Sequence, residues 1–181
     1  MKMDIKKLCS GIMVLAAVLA PAIASAEETK FKVSEFTFTK PAAWETVNPS
    51  SSMRKAQFKV PGEKSKEGAD VVFYQFGSGP MGGVKANVDR WLGQFEEPLD
   101  KINAKIEEAT IGKTKVTFVQ AQGTYKSGMP GGPTTPMPDY GLGGAIIESG
   151  DGNIFVKMTG PKALVKSSLV EFRKMVEDGL K

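Results

Sequence analysis

The stretch Ala69-Asp70-Val71-Val72-Phe73-Tyr74-Gln75-Phe76-Gly77 sets the architecture. Side chains alternate across a strand, so Val71 and Phe73 share one face while Val72, Tyr74 and Phe76 share the other. Both faces are apolar. A strand of that kind belongs inside a sheet with both sides covered.

The neighbouring segments indicate what covers it. Upstream, Phe36 and Phe38 alternate with threonines in a strand halted at Pro41, and Trp44 follows in a Pro-Ala-Ala-Trp turn. Ala56, Phe58 and Val60 alternate in a second strand ending at Pro61, and residues 62–68 form a charged hairpin-type loop. Downstream, the glycine-rich residues 77–83 lead into a predicted helix over residues 84–95. There Val84, Val88, Trp91, Leu92 and Phe95 make one apolar stripe, and Pro98 ends it. Residues 102–111 read as a short helical turn and then a strand, and residues 115–125 as a further strand. Residues 144–149 and 154–159 form a hairpin around Gly150-Asp151-Gly152. Gly160-Pro161 opens a last helix with the stripe Val165, Leu169, Phe172, Val176 and Leu180. Residues 127–140 carry Pro130, Pro133, Pro136 and Pro138 with Gly128, Gly131 and Gly132, and are expected to hold neither a helix nor a sheet interior and to form the longest irregular segment of the mature chain. The expected fold class is α+β: a mostly antiparallel sheet of about six strands with helices on its faces, an α/β/α sandwich.

Residues 1–26 read as a secretory signal peptide. Lys2, Lys6 and Lys7 precede the apolar run IMVLAAVLA at 12–20, and Ala24-Ser25-Ala26 supplies a small-residue cleavage site before Glu27-Glu28. The run is too short to span a bilayer. Cys9 lies before it, where a lipidated cysteine would follow it. Cleavage near Ala26 is expected to leave a periplasmic or secreted chain, residues 27–181, folded as a single α+β domain. That mature chain has neither cysteine nor histidine. Disulfides, His/Cys zinc sites, a cysteine nucleophile and a Ser-His-Asp triad are therefore excluded. Removing Lys2, Lys6, Lys7 and Asp4 from totals of 24 basic and 20 acidic residues leaves 21 and 19, a net charge of +2. The charges are interspersed, which does not suggest nucleic acid, and no second apolar stretch has spanning length.

Gly77, Gly79 and Gly82 spell G-x-G-x-x-G after a strand and before a helix, with Gly83 directly following. The match lies mid-chain after strands that read as antiparallel, so a flexible turn explains it better than a dinucleotide site, and no Lys-Ser/Thr makes it a P-loop. Capture of a small anion by its amides is the stronger functional reading. Asn87, Arg90 and Gln94 fall beside Trp91 on the helix and could contact a partner or a carboxylate. The plainer alternative has Asn87 and Arg90 bonding loop carbonyls while Trp91 fills core. In the proline-rich segment, Met129 and Met137 are apolar anchors, as Met81 is in the glycine-rich one. Methionine anchoring is far commoner than a thioether copper site. Pro130, Pro133 and Pro136 suit a surface that docks a partner, or a loop that seals its own core edge. Glu107 and Glu108 are expected on opposite faces of a strand, which rules them out as an acid/base pair. Asp151 and Asn153 lack the later acidic ligands of a calcium loop.

The Pro41 to Trp44 turn and the order of elements resemble the PsbP-like/Mog-type sandwich. GSGPMGG with NVDRW (residues 77–91), GTYKSGMPGGP (123–133) and GGAIIE with FVKMTGP (143–161) are similar to exported bacterial proteins of that plan. The resemblance implies an adaptor or assembly domain, not a catalyst. With no histidine ligands present, a role in photosynthesis is not carried over. The expectation is an exported, non-enzymatic binding domain for a protein or a small anionic ligand, without cofactor or metal. A carboxylate/Lys/Ser hydrolase and a structural envelope component are the alternatives. The binding residues expected are Gly77, Gly79, Gly82, Gly83, Asn87, Arg90, Trp91, Met129, Pro130, Pro133, Pro136 and Met137.

Overall fold

The computed structural model describes residues 29–62, 67–76, 83–128 and 132–181. The expected signal peptide, most of the 62–68 loop, and Gly77, Gly79, Met81, Gly82, Met129 and Pro130 lie outside them. Two short strands, β1 (Lys30–Val33) and β2 (Phe36–Thr39), pair as an antiparallel hairpin. The main sheet consists of β3 (Glu45–Thr46), β4 (Arg54–Val60), β5 (Ala69–Gln75), β6 (Lys105–Ile111), β7 (Thr114–Gly128), β8 (Thr134–Ile147) and β9 (Ile154–Pro161). Its order is β3-β4-β5-β9-β8-β7-β6, and every neighbouring pair is antiparallel. Among the described residues there are two helices, α1 (Val84–Leu92) and α2 (Lys162–Gly179).

The alternation in β5 divides the core as its sequence requires. Val71 and Phe73 point to the face that α2 covers, joined by Val156, Met158, Ala145 and Ile147 and by the α2 stripe of Val165, Phe172, Val176 and Leu180. The β1–β2 hairpin extends that layer. Phe31 sits 4.8 Å from Phe58 and 5.0 Å from Phe73 between ring centroids. On the opposite face Val88, Trp91, Leu92 and Phe95 pack on Val119, Leu142, Ile146 and Phe155, with Tyr74 and Phe76 at the margin. Helices therefore lie on both faces of one sheet, the α/β/α sandwich.

Local chemistry fixes the element ends. Lys40 is buried after β2, and its Nζ donates to the carbonyls of Pro41 (3.0 Å) and Trp44 (2.6 Å), tying the turn that lowers Trp44 into the core. The β8–β9 hairpin turns at Gly150-Asp151-Gly152, with Gly152 at φ +111°, where a side chain is strained. Glu107 lies on the α2 side of β6 and takes a bidentate pair from Arg173, as the face alternation of Glu107 and Glu108 requires. Among the described residues, no helix is long and apolar enough to cross a membrane.

One expectation fails. Residues 127–140 are not one irregular loop, because Thr134, Thr135, Pro136 and Met137 pair with Gly128, Ser127, Lys126 and Tyr125 as the start of β8. The prolines are tolerated because β9 joins β8 only from Tyr140 onwards. Before that point β8 has a partner on one side alone, the position in which a missing N–H does least harm.

Candidate functional site

Strand alternation in β9 turns Ile154, Val156 and Met158 toward α2, and Phe155 and Lys157 toward α1. Lys157 is thus a charged side chain on a covered face. Its partners across the sheet are Gly144 and Val72, and the missing side chain at Gly144 makes room for the Trp91 ring. Lys157 Nζ donates to the Tyr125 hydroxyl at 2.8 Å and to Gln94 Oε1, and it lies 5.1 Å from the Tyr125 ring centroid.

The chain after α1 places Gln94. Beyond Gln120 the edge of β7 is no longer taken by β6, and residues 94–102 run along it. Lys126 N donates to Gln94 O at 2.7 Å, Glu96 N to Thr124 O at 2.9 Å, and Gln122 N to Ile102 O at 2.8 Å. The β7–β8 register shifts between Gly123 and Tyr125, where Thr124 stands opposite both Pro138 and Asp139 and the extra residue is on β8, and the Glu97 carboxylate accepts from the Thr124 N–H at 2.9 and 2.8 Å. Such a bulge bends the strand that carries it, here β8 at Asp139, whose φ is +55°.

Electrostatics give this cluster its character. Burial first, and then the nearby Arg90 guanidinium, push the Lys157 ammonium down to about 7. Burial, with a smaller contribution from Tyr74, pushes the Tyr125 phenol up to about 12 against the bond from Gln94. Among the described residues no carboxylate forms a salt bridge with Lys157 or Arg90. The acids nearest the neighbouring Tyr140 act on that residue instead: its hydroxyl donates to Glu67, and burial with the Glu67 and Asp70 charges holds it above the usual phenol range. Two cations therefore act on one another with no acidic salt-bridge partner among the described residues, one half-buried and one exposed.

The sequence-derived candidates fall in two places. Gly83 is the extended N-cap of α1, and its carbonyl accepts from Asn87 Nδ2 at 2.8 Å. Asn87 is fully buried and takes a bond from Arg90, while Trp91 is 4% exposed and fills core, so Arg90 is the member of that trio with an exposed side chain. Pro136 and Met137 sit opposite Lys126 and Tyr125 on the β7–β8 ribbon, with Pro133 just before β8. The flanks of the two Gly/Pro-rich segments lie at opposite ends of the sheet. Gln75 is level with Ile154 and Ile147, whereas Gly128 is level with Thr134, a separation along β8 of roughly 40 Å.

Sequence reasoning missed Lys157 and Tyr125. A signal existed for the first, since Lys157 shares its strand face with Phe155, and a lysine on the covered face of an inner strand is out of place. Tyr125 offered none, because its place beside Lys157 is set by sheet pairing between residues distant in sequence.

No protein-family model matches the chain, and no curated protein matches it. Solved structures similar to this chain include the following two. Cyanobacterial PsbP (CyanoP) from Synechocystis sp. PCC 6803 superposes with a TM-score of 0.52 at 9% identity, over 87% of this chain and 94% of that one. A protein of unknown function from Pseudomonas aeruginosa gives 0.46 at 16% identity, over 83% and 94%. At these identities the likeness is one of fold, and the fold of this chain is PsbP-like.

Proposed function

We propose that the chain is an exported, non-catalytic binding domain, and that a small anionic ligand carrying a carboxylate or phosphate is held between Arg90 and Lys157. The observation that carries this reading is the cation pair without an acidic salt-bridge partner among the described residues. Like charges brought together beside a buried edge are costly unless an anion comes between them. Export is supported by the tripartite pattern of residues 1–26. Arg90 supplies a planar fork at the surface, and Lys157 a point charge behind it. Tyr125 and Gln94 hold the ammonium in place.

The test uses inorganic phosphate and succinate. Each is expected to raise the Tm of the wild type in a concentration series at pH 6, while Arg90→Gln, at an exposed position, folds normally and loses the shift. Affinity should be flat below pH 7 and fall by up to about tenfold per pH unit above it, because a neutral Lys157 must take up a proton before it pairs with the anion. Equal shifts in wild type and Arg90→Gln, or none in either, would remove the reading.

A further inference from the structure

The other face of the sheet carries a separate groove. Along the seam between α2 and β7 lie two cavities of about 300 Å³ and about 190 Å³, which share Gln120 and Leu169 and so form one continuous trough. The larger end is lined by Lys105, Lys162 and Lys166 with Gln120, Gln122 and Asn103, and among the described residues no acidic one lines it. Lys162 is engaged by Asp139 at 2.7 Å. Among the described residues Lys105 and Lys166 take part in no salt bridge. The smaller end is apolar, built from Phe118, Leu169, Val170 and Phe172. Val170 is 77% exposed there, a large apolar side chain left in water by the fold. Arg173 closes that end already committed, since Glu107 and Glu177 hold its guanidinium and its Cζ lies 4.4 Å from the Phe118 ring centroid.

Chemistry and length together select the occupant. From Lys162 to Arg173 the helix rises about 16 Å, the reach of about five residues of extended chain at roughly 3.3 Å each. A small anion would occupy only the lysine end and leave Val170 exposed. Lys162 and Lys166 stand one helical turn apart, about 6 Å, close to the spacing of alternate side chains on an extended strand. The two glutamine amides offer both donors and acceptors to a passing backbone. We propose that this trough docks an extended segment of a partner protein, acidic over its first residues and apolar at the end that meets Val170. The site lies across the sheet from Arg90 and does not depend on the small-anion reading.

The probe is a fluorescein-labelled hexapeptide of three glutamates followed by Ala-Leu-Phe, read by anisotropy in 150 mM NaCl. Saturable binding is expected, lost when glutamines replace the glutamates. The Kd should rise at least tenfold in Lys105→Glu/Lys166→Glu and at least tenfold in Val170→Asp. All three positions are exposed, so the variants fold, which circular dichroism checks. Arg90→Gln should bind as the wild type does, keeping this result distinct from the anion test. Equal binding of the glutamine peptide, or a Kd unmoved by the lysine reversals, overturns the proposal. So does loss in the lysine variant with none in Val170→Asp, which reduces the site to a small-anion patch. Displacement by a dT12 oligonucleotide at the same concentration as unlabelled peptide also overturns it, in favour of a general polyanion site.

Discussion

Replacing Lys157 by methionine is expected to remove most of a rise in unfolding free energy that the wild type shows between pH 7 and pH 10. In the folded chain the Lys157 ammonium titrates near 7, against an ordinary lysine value of 10.5 in the unfolded one. Between those two values the unfolded chain binds a proton that the folded chain does not, so stability climbs with pH. Below pH 7 both states are protonated and the full penalty of a charged, enclosed ammonium beside Arg90 is present. Above about pH 10.5 both are neutral, and the penalty is gone. The span is worth roughly 5 kcal/mol as an upper bound.

Methionine keeps the length of the side chain and gives up its bonds to Tyr125 and Gln94, a loss of about 1–3 kcal/mol at every pH. The difference between variant and wild type should therefore change sign. At pH 6 the variant is the more stable by about 1–3 kcal/mol, and at pH 10 the less stable by a similar amount. Urea denaturation at pH 6, 8 and 10 reads this directly, and subtracting the two curves cancels every other titrating group. Parallel curves would show that Lys157 keeps its ordinary hydration, and the cation-pair argument would go with it.

What the chain revealed in advance follows the range of the forces involved. Alternation along residues 69–77 is local, and it gave both the inner strand and the two covered faces, since a side chain's direction depends only on its own position. The helix stripes at Trp91 and Phe172 were legible for the same reason. Residues 134–140 were misread because the rule against proline concerns a strand flanked on both sides. Whether β9 reaches that level is settled by the β8–β9 turn, more than ten residues away. The Arg90 edge was visible as a helix position, but its meaning depends on Lys157, brought to it by β9, and on Gln94, held by the free edge of β7. Sheet pairing creates that juxtaposition, and no single window of sequence contains it.

The joint between α1 and the sheet should fail in a way that identifies its cause. Trp91→Ala is expected to cost about 3–5 kcal/mol, the range for emptying a buried aromatic site. Gly144→Ala adds one methyl group and should still cost about 2–3 kcal/mol, because the new Cβ would lie 2.3 Å from Trp91 Cζ3 and 2.8 Å from Cε3. The ring has little room to retreat, with Phe155 packed edge-on at 6.3 Å, so the helix must lift. If the collision is with that ring alone, the two losses cannot add. In the double variant the methyl group enters space the indole vacated, and stability should equal or exceed that of Trp91→Ala, a coupling of about 2 kcal/mol in a double-mutant cycle. Additive losses would mean that Gly144 is required for its backbone and not for the ring. The same cycle reports on the site, since α1 carries Arg90 and leads into Gln94. A folded Gly144→Ala protein should lose the phosphate-dependent rise in Tm, because lifting the helix parts Arg90 from Lys157.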